Sequence, residues 1–177
     1  MPDDDQTDYA ALGLSIQRAM VRAAEKRRPN SGPIRIRWGD KVICTGDTVS
    51  VPERGHLILE FLKGLDSPRH AVDLKMTGGC VLKNGTVIPV LRTWFDSQYE
   101  PVVEYDYTAR DRVIHVWNTS EVRLTNGSVR AEYWTGNAGM WIEPISTFER
   151  IYHFSHADSQ APDFESLVVK LSIFARE

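Results

Sequence analysis

Cysteine is nearly absent from this chain, with only Cys44 and Cys80 in 177 residues. Two cysteines cannot build a disulfide framework, and these two lack metal-ligand spacing, so they read as buried free thiols of a reducing compartment. A basic surplus is also missing: 21 Lys and Arg stand against 24 Asp and Glu, a formal charge of -3. Proteins built around nucleic acid normally carry basic excess, and none is expected as a partner here. No stretch approaches the ~18 apolar residues of a membrane span. The opening MPDDDQTD is acidic where a secretory leader would be basic. The expectation is a cytoplasmic protein without a membrane partner, whose Asn-x-Ser/Thr matches at Asn84, Asn118 and Asn126 meet no glycosylation machinery. P-loop, dinucleotide fingerprint, HExxH, nucleophile elbow and EF-hand patterns are all lacking. No cofactor is expected, and the common cofactor-dependent and triad-type enzymes lose ground.

What is present is an ordinary globular composition, 42% hydrophobic and 25% charged, of a length that makes one domain with a real core. Residues 1–7 read as a disordered acidic terminus. Over 8–28 a helix is expected: Asp8 can cap it, and Tyr9, Leu12, Ile16, Met20 and Ala23 recur at helical spacing. Lys26, Arg27 and Arg28 suit its C-terminal dipole, and Pro29 with Gly32 stops it. Such an amphipathic helix either covers a sheet or, as in pore-forming β-sandwich toxins, detaches onto a membrane. The short, Ala-rich apolar face favours the first.

From Pro33 the hydrophobic period is two. Ile34, Ile36 and Trp38 alternate with Arg35 and Arg37, and Leu57, Leu59 and Phe61 form another dry face. Residues 99–107 and 112–118 read as two further strands, and residues 148–155 are apolar on both sides, as in a central strand. Leu167, Val169, Leu171 and Ile173 face inward from the last strand. Asn84-Gly85 and Asn126-Gly127 each sit between alternating runs and predict two-residue type I′ hairpin turns. In the second hairpin that turn sets Leu124 opposite Val129 and Val122 opposite Ala131, with like charges facing on the other side. Pro89 marks an edge strand or bulge. About ten short strands without βαβ rhythm predict an all-β fold over 33–177, an antiparallel β-sandwich or jelly-roll-like domain preceded by one N-terminal amphipathic α-helix. A closed lipocalin-like barrel is the alternative.

Site chemistry concentrates in 127–156, which holds Trp134, Trp141, His153 and His156. His153 and His156 could bind zinc with Asp158 or His115. Residues three apart on a strand point to opposite faces, however, and zinc needs more convergent ligands, so no metal is assigned. The oxygen-rich loop 157–165, with Asp158, Asp163 and Glu165, could hold calcium, but Asp, Ser and Pro are ordinary loop residues and no calcium is assigned. Parity puts His115 and Trp117 on one strand face, and Trp141 and Glu143 on another. If those strands are neighbours, an aromatic-lined cleft forms that can stack a planar or sugar-like ligand, with Trp94 and Trp134 contributing. Asp40 and Asp96, beside turns, could join it. The function expected is small-molecule binding by Trp94, Trp117, Trp134 and Trp141. One alternative is a cofactor-independent cyclase, isomerase or hydrolase using His115 and Glu143 as acid–base pair; another is a protein-interaction or accessory module.

Overall fold

The computed structural model describes residues 5–177. The disordered terminus expected over 1–7 falls, for residues 1–4, outside the described residues. Asp5 accepts from Tyr9 Oη at 2.5 Å and pairs with Lys26 at 3.1 Å. The helix expected over 8–28 is broken in two: a 3-10 turn at Tyr9–Leu12 and α1 at Ile16–Glu25. Gly13 is the cause. It stands at φ +66, the left-handed conformation that ends a helical run. Asp8 caps the turn by accepting from Ala10 N, and Ser15 caps α1 by accepting from Arg18 N. Ile16, Ala19, Met20 and Ala23 form the buried face of α1. They pack with Tyr9, Ile36, Ile43 and Phe164 into a small core of their own, edged by Trp38 and Trp141. Among the described residues no helix is long and apolar enough to cross a membrane.

Eleven strands follow: β1 (Ile36–Trp38), β2 (Lys41–Cys44), β3 (Asp47–Ser50), β4 (Arg54–Gly64), β5 (His70–Val81), β6 (Val87–Trp94), β7 (Val102–Arg123), β8 (Val129–Glu132), β9 (Gly139–Ser146), β10 (Glu149–Ser155) and β11 (Leu167–Ala175). Hydrogen bonding runs unbroken in the order β1-β2-β9-β10-β11-β4-β7-β5-β6, with β3 and β8 pairing further along β7. The all-β fold with one N-terminal helix is therefore the one expected. The strands form one continuous hydrogen-bonded sheet rather than two separate ones, with β4 and β7 paired at its middle. The sheet folds back so that one face is enclosed, bringing Leu57 and Leu59 of β4, Leu74 of β5, Ile114 and Val116 of β7, Phe154 of β10 and Leu171 of β11 into one core. Burial of these side chains, at roughly 1.5–3 kcal/mol each, is the main stabilising term. Asp47 ties the layers together, because Tyr152 Oη and Arg150 Nη1, both from β10, donate to its Oδ2 at 2.8 Å.

β7 is one strand where the sequence suggests two. Along one edge it pairs with β5 from Ser120 back to Asp106. Along the other it takes β4, then β3, then β8 in succession. Between β4 and β3 the chain kinks, and Arg112 takes φ +57.

Both Asn-Gly hairpins are present, but their turns are corrected. Leu124 N donates to Ser128 O and Gly127 N to Leu124 O; Leu82, Gly85 and Thr86 repeat this pattern. Each is thus a three-residue loop in which the glycine, and not the preceding Asn, takes a positive φ: Gly85 stands at +83 and Gly127 at +84. The extra residue shifts the β7–β8 register by one, pairing Arg123 with Val129 and Val122 with Arg130. Like charges no longer stand opposite, which is the physical advantage of this register. β6, with Pro89, lies at the edge of the sheet.

Candidate functional site

The outer face of β6, β5 and β7 carries the richest chemistry. Register places Trp94, Ala71 and Thr119 in one row and Arg92, Asp73 and Trp117 in the next. Their neighbours Val72, Leu74 and Val116 point into the core, so by parity these side chains take the opposite face, although Trp117 also packs against the core cluster. Tyr133 and Trp134, from the segment after β8, fold over this face. The Trp117 ring centroid is 5.9 Å from that of Trp134 and 6.4 Å from that of Tyr133, and Tyr133 meets Trp134 edge-on at 5.1 Å. Trp134 Nε1 donates to Thr45 O at 3.1 Å. Tyr133 and Trp134 are each about half exposed.

Beneath them Asp73 is fully buried. Arg92 donates to it through Nε and Nη2 at 2.8 and 3.1 Å, and Thr119 Oγ1 donates at 2.5 Å. A buried carboxylate needs such partners, and the fork locks the Arg92 guanidinium at the edge of the aromatic group. Arg69 stacks over Trp94 at 4.6 Å. The Trp117 Nε1 donor is buried without a partner among the described residues.

Trp141 and Glu143 project from the outer side of β9, as parity requires, but their company is His153 of β10. The Trp141 and His153 rings lie 4.2 Å apart, tilted by 31°. His153 Nε2 donates to Glu143 Oε2 at 3.0 Å, and Glu165 approaches Nδ1 at 3.7 Å. Lys63, bonded to Glu165 at 2.9 Å, holds that carboxyl below its usual range.

Trp94, Trp117, Trp134 and His115 therefore share one outer face, while Trp141 and Glu143 lie on another. β7 and β9 are not neighbours, since β10, β11 and β4 stand between them along the ladder. The strand adjacency on which a His115–Glu143 pair depends is absent, and exposed His115 lies 3.3 Å from Thr48 Oγ1 instead. Asp40 pairs with Lys41, and Asp96 accepts from Gln98 N within its turn. His153 and His156 diverge, the first to the outer face and the second to the interior. Among the described residues no three His, Cys, Asp or Glu side chains are grouped to hold a metal ion.

Inside the sandwich, at the end of β5 and β10, lies a polar group not foreseen from the sequence. The Asn118 amide nitrogen donates to His70 Nε2 at 2.8 Å and to Ser155 O at 3.1 Å. His156 packs edge-on against His70 at 5.4 Å. Burial pushes His70 down to about 3 and lowers His156 as well. Burial acts oppositely on the thiols, raising Cys44 to about 11 and Cys80 to about 12, which keeps both protonated and unreactive.

Asp73, Arg92, Tyr133 and Thr119 are the residues sequence reasoning missed. The available signal was the run Ala71-Val72-Asp73-Leu74, a lone charge inside an apolar strand, with Arg92 and Trp94 two apart. Compared with known proteins, the chain matches no family model, no curated protein and no solved structure.

Proposed function

We propose that this chain is a small-molecule-binding protein of the cytoplasm whose ligand stacks on the outer face bounded by Trp94, Trp117, Tyr133 and Trp134. The observation that carries the reading is Trp134. Its backbone stands at φ +57, a strained conformation for a bulky side chain, yet half of its indole faces solvent. Exposed aromatic rings suit the face of a sugar or planar ring, and the Arg92 fork, fixed by Asp73, offers directed donors at the edge. The two buried free thiols fit a reducing compartment. An acid–base reading would now run through Glu143 and His153, 3.0 Å apart, rather than through His115.

The test is tryptophan fluorescence of the full chain titrated with a panel of mono- and oligosaccharides and nitrogen heterocycles. A ligand should perturb emission, and Trp134→Ala should weaken its binding by about tenfold through lost stacking. Phe148→Ala, an exposed aromatic on the β9–β10 turn, should leave affinity unchanged. Wild-type affinity in Trp134→Ala would reject the site.

A further inference from the structure

We propose a second binding site, for a phosphate-type oxyanion, where the ends of β4 and β11 meet the kink of β7. A depression of about 380 Å3 is lined there by Pro52, Glu53, Arg54, Arg112 and Arg176. The arginines come from three separated parts of the chain, and backbone hydrogen bonds hold their main chains together while the side chains stay exposed. Arg176 N donates to Arg54 O at 3.1 Å, and Val51 N donates to Arg112 O at 2.9 Å. Three arginines lining one depression raise the local positive potential, which negative charge there would relieve. The chain supplies little: Glu53 lines the depression, and Asp106 accepts from Arg176 at 2.6 Å while also taking His56 at 2.8 Å. Neither Arg54 nor Arg112 forms a side-chain hydrogen bond or ion pair among the described residues.

Arg112 adds an independent observation. At φ +57 it occupies backbone that glycine adopts freely and other residues adopt at a cost. The turn is held by Val113 N donating to Asp111 Oδ1 and by Val51 N donating to Arg112 O, and it leaves the Arg112 side chain without a protein partner among the described residues. A planar fork of donors kept in such a place, beside two others, matches the oxygens of a phosphate. The formal charge of the whole chain is -3, so the positive field is local rather than a general affinity for polyanions. The depression falls in the size range of small-ligand pockets and accommodates a phosphomonoester of a small organic group. It shares no residue with the aromatic face.

Calorimetric titration of the full chain with inorganic phosphate and with glycerol phosphate, against sodium chloride of matched ionic strength, tests the site. One equivalent should bind per chain. Arg112→Gly and Arg54→Gln should each weaken it by about tenfold or more, while Lys83→Gln, on an exposed hairpin turn, should not. Arg112→Gly relieves backbone strain, so its melting temperature should hold or rise, and its lost binding is then not unfolding. Tighter binding of the ester supports a phosphomonoester ligand, and tighter binding of the free anion supports phosphate itself. Heats equal to the chloride blank, or Arg112→Gly binding like wild type, would overturn the proposal.

Discussion

His70→Gln separates acid sensitivity from every other effect of pH on this fold. His70 is 1% exposed and titrates near 3 in the folded chain against 6.5 for a free imidazole. Between those values the unfolded state binds the proton and the folded state refuses it, so stability falls as pH drops through 6.5. At pH 5 the linkage amounts to about 2 kcal/mol relative to pH 8. For a domain of this size that is about 4–8 °C in melting temperature. His156, also lowered by burial, acts in the same direction. His56 acts in the opposite one, because hydrogen bonds to Asp106 and Glu104 raise it, and its contribution is lost as pH rises. Glutamine keeps an acceptor for the Asn118 amide and cannot titrate. The variant loses some stability at every pH, but its decline from pH 8 to pH 5, followed by calorimetry, should be shallower than the wild-type decline by the amount above. His56 is common to both and cancels. Equal declines in the two proteins would refute the burial argument.

Leu171→Ala should destabilise by about 2–5 kcal/mol in urea titration, since Leu171 is fully buried in the main core; a loss below about 0.5 kcal/mol would place it at the surface. Gly127→Val should cost about 1–2 kcal/mol through backbone strain alone, because φ is +84 and no atom lies within 4 Å of an added Cβ. A melting temperature equal to wild type would show that the loop relaxes.

The strand faces were legible because alternation reports burial directly. Leu167, Val169, Leu171 and Ile173 are all buried, and Pro89 correctly marked an edge. Helical periodicity hid the break at Gly13, since Tyr9 and Ile16 bury on the same side whether or not the helix is continuous. Hairpin register was off by one because Asn-Gly is compatible with both two- and three-residue loops, and charge opposition decided between them. The site was half legible. Parity correctly paired His115 with Trp117 and Trp141 with Glu143, but parity says nothing about which strands adjoin. Long-range pairing placed Glu143 beside His153, gathered Trp117 with Tyr133 and Trp134 elsewhere, and left Trp94 on the same face beside Arg69. No sequence period announces the aromatic roof either, because Tyr133 and Trp134 lie outside any strand.

The length of β7 bears on how this protein comes apart. Its 22 residues contribute to the ladders of β3, β4, β5 and β8, so separating any of these strands from the sheet breaks bonds made by β7. Local opening is expected first at the ends of the ladder, β1 and β6, and at the short strands β3 and β8, which each pair only with β7. Amides in the middle of β7 then exchange with solvent only when the whole domain opens, and that strand sets the ceiling of protection for the molecule. If β7 joins the sheet into one cooperative unit, ligands at the two proposed sites would both raise the same melting temperature.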